Sequence, residues 1–258
     1  MTAAHGEAIR TYYNVLSSAW GPQQWWPAQT RFEVIVGAYL TQNTAWTNVE
    51  LALRGLRSAH LLSLNGIRRA PLATIEQLIR PSGYFRQKAQ RLKTFVAFID
   101  KRYAGSLTRM FSQPTNELRQ ELLGLNGIGP ETADSILLYA GNHPVFVVDT
   151  YTRRILERHA MAKPRDSYED IRQLFEKALA PIVSSQQHKP ADVRASFASG
   201  LAGATHPPSR MSTARRSALV QVYNEMHGLI VGVGKNYCRK SQPVCDQCPL
   251  QPFLPCRK

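Results

Sequence analysis

Acidic residues are scarce in this chain: 18 Asp and Glu stand against 32 Lys and Arg in 258 residues, a formal net charge of +14. Such an imbalance points to a polyanionic partner, because each Lys or Arg set on a phosphate releases condensed counterions. A membrane surface is the other candidate. Long apolar runs are missing as well. The longest candidates, such as Val145-Phe146-Val147-Val148, are cut short by Asp149, far below the roughly 20 residues that span a bilayer. The first ten residues carry His5 and Glu7 where a secretion signal needs an apolar stretch. A soluble, cytoplasmic protein is therefore expected. Four cysteines in this length exclude a disulfide-dense miniprotein. With 43% hydrophobic and 19% charged residues, wholesale disorder is excluded too. The length allows one large or two small domains at roughly 100–200 residues each.

Strand signals are nearly absent; only Val145 to Val148, after the turn-like Gly141-Asn142-His143-Pro144, reads as one. Helical spacing dominates instead. It runs through Arg31 to Leu56 (Phe32, Ile35, Val36, Tyr39, Leu40), Ile75 to Leu78, Leu92 to Ile99 and Leu118 to Leu123. Thr115-Asn116-Glu117-Leu118 offers a helix start after Pro114. No repeat of fixed period is visible. From Ser184 to Arg216 the composition shifts to Ser, Gln, Pro, Ala and Arg. This stretch reads as a long surface loop or insertion, with room for a short helix around Val193 to Leu201.

All four cysteines, Cys238, Cys245, Cys248 and Cys256, fall in the last 21 residues with spacing C-x6-C-x2-C-x7-C. Four thiolates in one short loop can hold a tetrahedral zinc or an iron–sulfur cluster. Zinc sites usually use two close pairs, and only Cys245 and Cys248 form one here, so a 4Fe-4S cluster is favoured. Its role is expected to be that of a staple for the tail, with Arg239, Lys240, Arg257 and Lys258 around it suited to a phosphate.

Leu125-Asn126-Gly127-Ile128-Gly129-Pro130-Glu131-Thr132 sets two glycines in a turn, with Pro130 suited to the first turn of the next helix. Glycines there let a phosphate approach backbone N–H groups; alone, the pattern also fits an ordinary interhelical turn. Farther on, Val147-Val148-Asp149-Thr150 precedes Arg153, Arg154 and Arg158, placing a carboxylate near basic residues. His143 and His227 have no ligand-spaced partner and read as structural.

The hairpin, the V-D-T segment and the four-cysteine loop occur in the order found in the endonuclease III superfamily of DNA glycosylases. The chain resembles that family from about Gln23 to Cys256. The resemblance implies that Asp149 is the catalytic carboxylate, that the hairpin (Gly127, Gly129, Thr132) and Arg153 contact DNA, and that the cysteines ligate a 4Fe-4S cluster. Leu40-Thr41-Gln42-Asn43-Thr44 looks like the loop whose Gln, here Gln42, fills the gap left by a flipped nucleotide. Endonuclease III itself carries at the position of Glu131 a Lys that forms a Schiff base. A carboxylate cannot form an imine, so Glu131 implies a monofunctional enzyme using water; the residue also suits a solvated helix start. Trp25-Trp26-Pro27 and the later Trp46 resemble the bacterial 3-methyladenine glycosylase branch, where such residues sandwich the alkylated base. Alkylated purines are cationic, and indoles hold cations by roughly 0.5–2 kcal/mol; packing is the competing role for these tryptophans. Lys235 resembles a pocket Lys of that branch and equally suits a phosphate contact.

The expected protein is therefore all-α, with two helical domains, a helix-hairpin-helix and a C-terminal iron–sulfur loop. Residues 23–143 form the helical barrel domain with the hairpin. Residues 1–22 plus 144–258 form the cluster domain, with the insertion at about 184–216. The expected activity is excision of alkylated, 3-methyladenine-like purines from double-stranded DNA by a monomer, without AP-lyase activity or membrane association. Excision of oxidised pyrimidines or mismatched bases, or a catalytically silent DNA-binding role, is the alternative.

Overall fold

A computed structural model describes residues 2–186 and 207–255. The expectation of a helix around Val193 to Leu201 and the position of Cys256 lie outside these residues. Among the described residues every regular element is helical, and no helix is long and apolar enough to cross a membrane. The chain divides into two compact units, 28–143 with 209–211, and 1–27 with 144–208 and 212–258.

The first of these units is built on α2 (Arg31–Thr41), in which every residue from Phe32 to Leu40 is buried. A helix apolar on all sides must be wrapped by others. Its surroundings are α3 (Trp46–Ser58), α6 (Phe85–Tyr103) and the helix that begins at Pro130; the short α4 (Leu64–Arg69), α5 (Leu72–Leu78) and α7 (Leu107–Met110) belong to the same unit. Glu33 is the polar exception in α2, where it pairs with Arg57. The apolar periodicity from 31 to 56 is two helices, not one. Asn43 adopts a left-handed conformation (φ 51°) between them, which stops a right-handed helix from continuing. Thr115–Leu123 (α8) begins directly after Pro114, and Pro130–Ser135 (α9) has its proline at N1 and runs on into one π-turn, Ile136–Ala140. Arg119 and Asp134 join α8 to α9 through a buried two-bond ion pair of 2.6 and 3.0 Å.

The other unit contains α1 (Ala3–Trp20), α10 (Thr150–Arg158), α11 (Tyr168–Gln186) and α12 (Ala218–Asn236). The segment Val145 to Val148 forms no strand, and it is buried. Two of its backbone donors are met by side chains instead of a ladder. The Phe146 N–H donates to Glu176 Oε1 at 3.0 Å and the Val148 N–H to Tyr168 Oη at 3.3 Å. Phe146 stacks on Phe175 at 4.3 Å, so this segment is the core thread between helices.

Two boundaries differ from expectation. The division falls after Pro27, because the tryptophan segment is tied to α12: the Gln23 N–H donates to Glu225 at 2.5 Å. The insertion does not begin at Ser184, since α11 runs to Gln186. Toward its far end Ser209 and Met211 bond to the backbone of Ala28: the Ala28 N–H donates to Ser209 Oγ at 3.0 Å and the Met211 N–H to Ala28 O at 2.9 Å.

Candidate active site and nucleic-acid interface

Asp149 is the N-cap of α10. Its Oδ1 accepts from the Thr152 N–H at 2.7 Å and from the Thr152 hydroxyl at 2.8 Å, satisfying donors that a helix start leaves open. Oδ2 points elsewhere, to His227 Nε2 at 3.5 Å. Burial favours the protonated acid, yet His227 and the Thr152 donors outweigh it and hold the carboxyl below its usual range. Asp149, with its side chain 11% exposed, is thus a nearly enclosed carboxylate that stays charged at neutral pH.

Helix α12 assembles the surroundings of this group. His227 is buried, with the rings of Trp25 and Phe146 both 6.3 Å away. Gly228 gives room to the tryptophan segment: a Cβ there would meet Gln23 Cβ at 2.9 Å and Trp25 Cβ at 3.1 Å. One turn and a half later Gly234 does the same for α10, where a Cβ would meet the Tyr151 ring at 2.2 Å. Lys235 reaches over Trp25 with Nζ 5.9 Å from the ring centre. Trp25 and Trp26 meet edge to face at 5.8 Å, and both are buried, at 5% and 6% exposure. Both indoles lie inward, because Glu225 ties the segment onto α12. Pro27, next to them, is half-buried.

In the unit 28–143, Gln42 is bound on both ends of its carboxamide. Nε2 donates to Gly127 O and to Thr132 Oγ1, each at 2.9 Å, and Oε1 accepts from Arg91 Nη1 at 2.9 Å. The hairpin turns at Gly127, which has φ 82° and lies so close under the Arg91 side chain that a Cβ would sit 2.0 Å from its Nε. The N–H groups of Gly127 and Gly129 have no acceptor among the described residues, as an anion-receiving turn requires. Thr132 is buried, so it supports Gln42 and does not itself present a surface. Glu131 is exposed at the second position of α9. Trp46 opens α3 and donates to Glu50 Oε1 at 2.8 Å. Beneath the Gln42 loop, buried Lys88 donates to Leu40 O, Thr44 Oγ1 and Ser82 O at 2.9, 2.8 and 2.7 Å. Arg153, in the unit of Asp149, donates to Asp166 O at 2.9 Å.

Cys238, Cys245 and Cys248 are free thiols that line one cavity together with Arg158, His159 and Tyr237. Arg158 Nη1 lies 3.1 Å from Cys238 Sγ. Burial, followed by the nearby thiols of Cys238 and Cys245, pushes the Cys248 thiol up. Among the described residues no three His, Cys, Asp or Glu side chains gather tightly enough to hold a single metal ion.

The family described as HhH-GPD superfamily base excision DNA repair protein matches residues 36–181, which include both the hairpin and Asp149. The chain belongs to this family. A Methanocaldococcus jannaschii protein, named provisionally as a DNA repair glycosylase, is 39% identical over 96% of each chain. Endonuclease III of Thermotoga maritima is 24% identical over 85% of this chain and 80% of its own. Among solved structures, the H. pylori 3-methyladenine DNA glycosylase bound to 1,N6-ethenoadenine is similar, with TM-score 0.69 and 28% identity over 90% of this chain and 97% of that one. An endonuclease III–DNA complex shares the fold, with TM-score 0.68 at 19% identity over 98% and 96%. The HhH-GPD chain is therefore a base excision repair DNA glycosylase built on the endonuclease III fold.

His227, which reads as structural in the sequence, faces Asp149 in the fold. It carries no motif and stands far along the chain from Asp149; only the packing of α12 on α10 brings them together.

Proposed function

We propose that this glycosylase is monofunctional and releases alkylated, 3-methyladenine-like purines from double-stranded DNA, with Asp149 as its catalytic carboxylate. The observation that carries the reading is Asp149 itself, nearly enclosed, charged, and in a neighbourhood where Trp25 is capped by Lys235. An alkylated purine is already a good leaving group, so the protein needs no strong general acid. What remains is positive charge growing on the sugar, which a carboxylate in a water-poor site offsets strongly. The same group orients or deprotonates the attacking water. In this reading the residues assigned to the base are Trp25, Trp26, Pro27 and Lys235 of the one unit, and Trp46 and Glu131 of the other. Gln42, the hairpin amides and Arg153 hold the DNA, and Gln42 fills the gap once the base is flipped out. Likeness to the H. pylori 3-methyladenine glycosylase supports the substrate class. Glu131 at the hairpin supports hydrolysis over imine chemistry.

The cysteine loop fits an iron–sulfur cluster in its chemistry. Three soft donors line one cavity, and their mutual repulsion as thiolates calls for a cationic centre. A cluster spaces its thiolates more widely than one ion does, in keeping with the open arrangement. Cys238, Cys245, Cys248 and Cys256 would hold it, and its contribution is to fix the tail beneath Arg158. The protein acts as a monomer in the cytoplasm, on chromosomal DNA.

The test is incubation with methylated duplex DNA and chromatography of the released bases. Free 3-methyladenine should appear, leaving abasic sites that break only on added alkali. Release of oxidised pyrimidines instead would overturn the substrate class. Nicking without alkali, with a borohydride-trapped covalent complex, would overturn the monofunctional reading. Iron near four atoms per chain is expected for a 4Fe-4S cluster; stoichiometric zinc would overturn the cluster assignment.

A further inference from the structure

The two oxygens of Asp149 are treated differently. Thr152 occupies Oδ1 twice over, through its amide and its hydroxyl. Oδ2, the oxygen left for chemistry, faces His227 Nε2 at 3.5 Å. That separation exceeds a well-formed hydrogen bond, and catalytic contacts are often long before the substrate arrives and tighten afterwards. His227 is held from outside: it is 4% exposed, and the rings of Trp25 and Phe146 lie against it. The imidazole therefore touches both the proposed catalytic carboxylate and a wall of the proposed base pocket.

We propose that His227 is a positioning residue for Asp149: its Nε2 holds Oδ2 in the direction of the sugar, and its ring transmits the placement of Trp25 to the carboxylate. The proposal rests on Asp149 being the catalytic carboxylate. Removing the imidazole leaves Thr152 to fix one oxygen alone, and the carboxylate is then free to turn about that anchor.

The test reads the carboxylate without depending on which base is excised. Binding is measured to two duplexes, one carrying a pyrrolidine abasic analogue, whose ring nitrogen is cationic as the sugar is in the transition state, and one carrying the neutral tetrahydrofuran analogue. The wild-type protein should prefer the pyrrolidine duplex. His227→Phe should lose on the order of 10-fold of that preference, the usual worth of a hydrogen bond to a charged group. His227→Gln, whose carboxamide can still donate to Oδ2, should recover most of it. Both variants should bind the tetrahydrofuran duplex as the wild type does, which also shows that they are folded; His227→Leu replaces the Phe variant if the larger ring is not accommodated. If Asp149→Asn abolishes the preference while the His227 variants without a donor keep it, the positioning role is wrong and the Asp149 reading stands. If Asp149→Asn leaves the preference unchanged, the Asp149 reading fails and the positioning role fails with it. Equal losses in the Gln and Phe variants would show a packing role only and overturn the proposal.

Discussion

Asp149 and Gln42 are held in opposite ways. The Asp149 side chain is 11% exposed, with one oxygen locked by a helix cap and the other facing an imidazole. Gln42 is half-buried; its neutral partners, Gly127 O and Thr132 Oγ1, are groups that DNA or water can replace, and the Arg91 guanidinium on its Oε1 is one that a DNA phosphate can draw away. The difference follows from the task. A charge meant to oppose another charge gains from a dry, fixed setting. A side chain meant to enter a base stack must exchange its partners, and hydrogen bonds that contribute only about 0.5–1.5 kcal/mol each net can be exchanged.

The sharpest way to break the comparison is to neutralise the fixed group. Asp149→Asn should lower single-turnover release of methylated purines by about 10² or more, with affinity for undamaged duplex unchanged. Comparable rates in quenched-flow measurements would deny the carboxylate a main role. A second change attacks the setting and leaves the charge in place. Gly234→Ala would drive a Cβ into Tyr151, and overpacking of that kind costs about 1–3 kcal/mol. A drop in thermal midpoint together with slower base release is expected, whereas an unchanged midpoint would mean that α10 yields without cost.

The third prediction concerns the support under the exchangeable loop. Burial, aided by the charge of Arg91, lowers the Lys88 pKa from the ordinary 10.5 to about 8. Between those values the unfolded chain binds more protons than the folded one, so the Lys88 contribution to stability rises with pH from about 8 to 10.5. Lys88→Met should remove that slope in denaturant titrations at successive pH values. It should also lower stability at pH 7, because Leu40 O loses its donor at about 1–3 kcal/mol for a buried unsatisfied group, whereas Ser82 O keeps the Thr44 hydroxyl. A slope that survives the substitution would assign it to other groups. The smallest effect belongs to Gln42→Ala, expected to cost about 1 kcal/mol or less in folding stability. Its affinity for a tetrahydrofuran-containing duplex should fall several-fold while the affinity for intact duplex is kept. Equal loss on both duplexes would make Gln42 a brace for the hairpin and nothing more.

Much of this molecule was legible from local pattern. The 3.6-residue spacing marked the helices, Pro130 marked the start of α9, and the order of hairpin, V-D-T and cysteine motifs led to the HhH-GPD family. Local pattern failed where a segment borrowed its partners from elsewhere. Val145 to Val148 has the composition of a strand, yet its donors go to Glu176 and Tyr168 on or beside α11, so no ladder forms. Local pattern left packing and base contact both open for the adjacent Trp25 and Trp26; both are buried on a segment tied down by Glu225, a residue that carries no signal in the sequence.

By itself, then, the sequence determined the helical class, the basic character, the turn at Gly127 and the helix start at Asp149. Each depends on residues within a few positions of one another, where backbone geometry and capping chemistry decide. The tertiary structure alone decided that His227 faces Asp149, that Gly228 and Gly234 make room for Trp25 and Tyr151, and that Arg91 holds Gln42 over the hairpin. These depend on which faces of distant helices meet. Periodicity tells that a face is buried; only close packing of the whole core selects the neighbour that buries it.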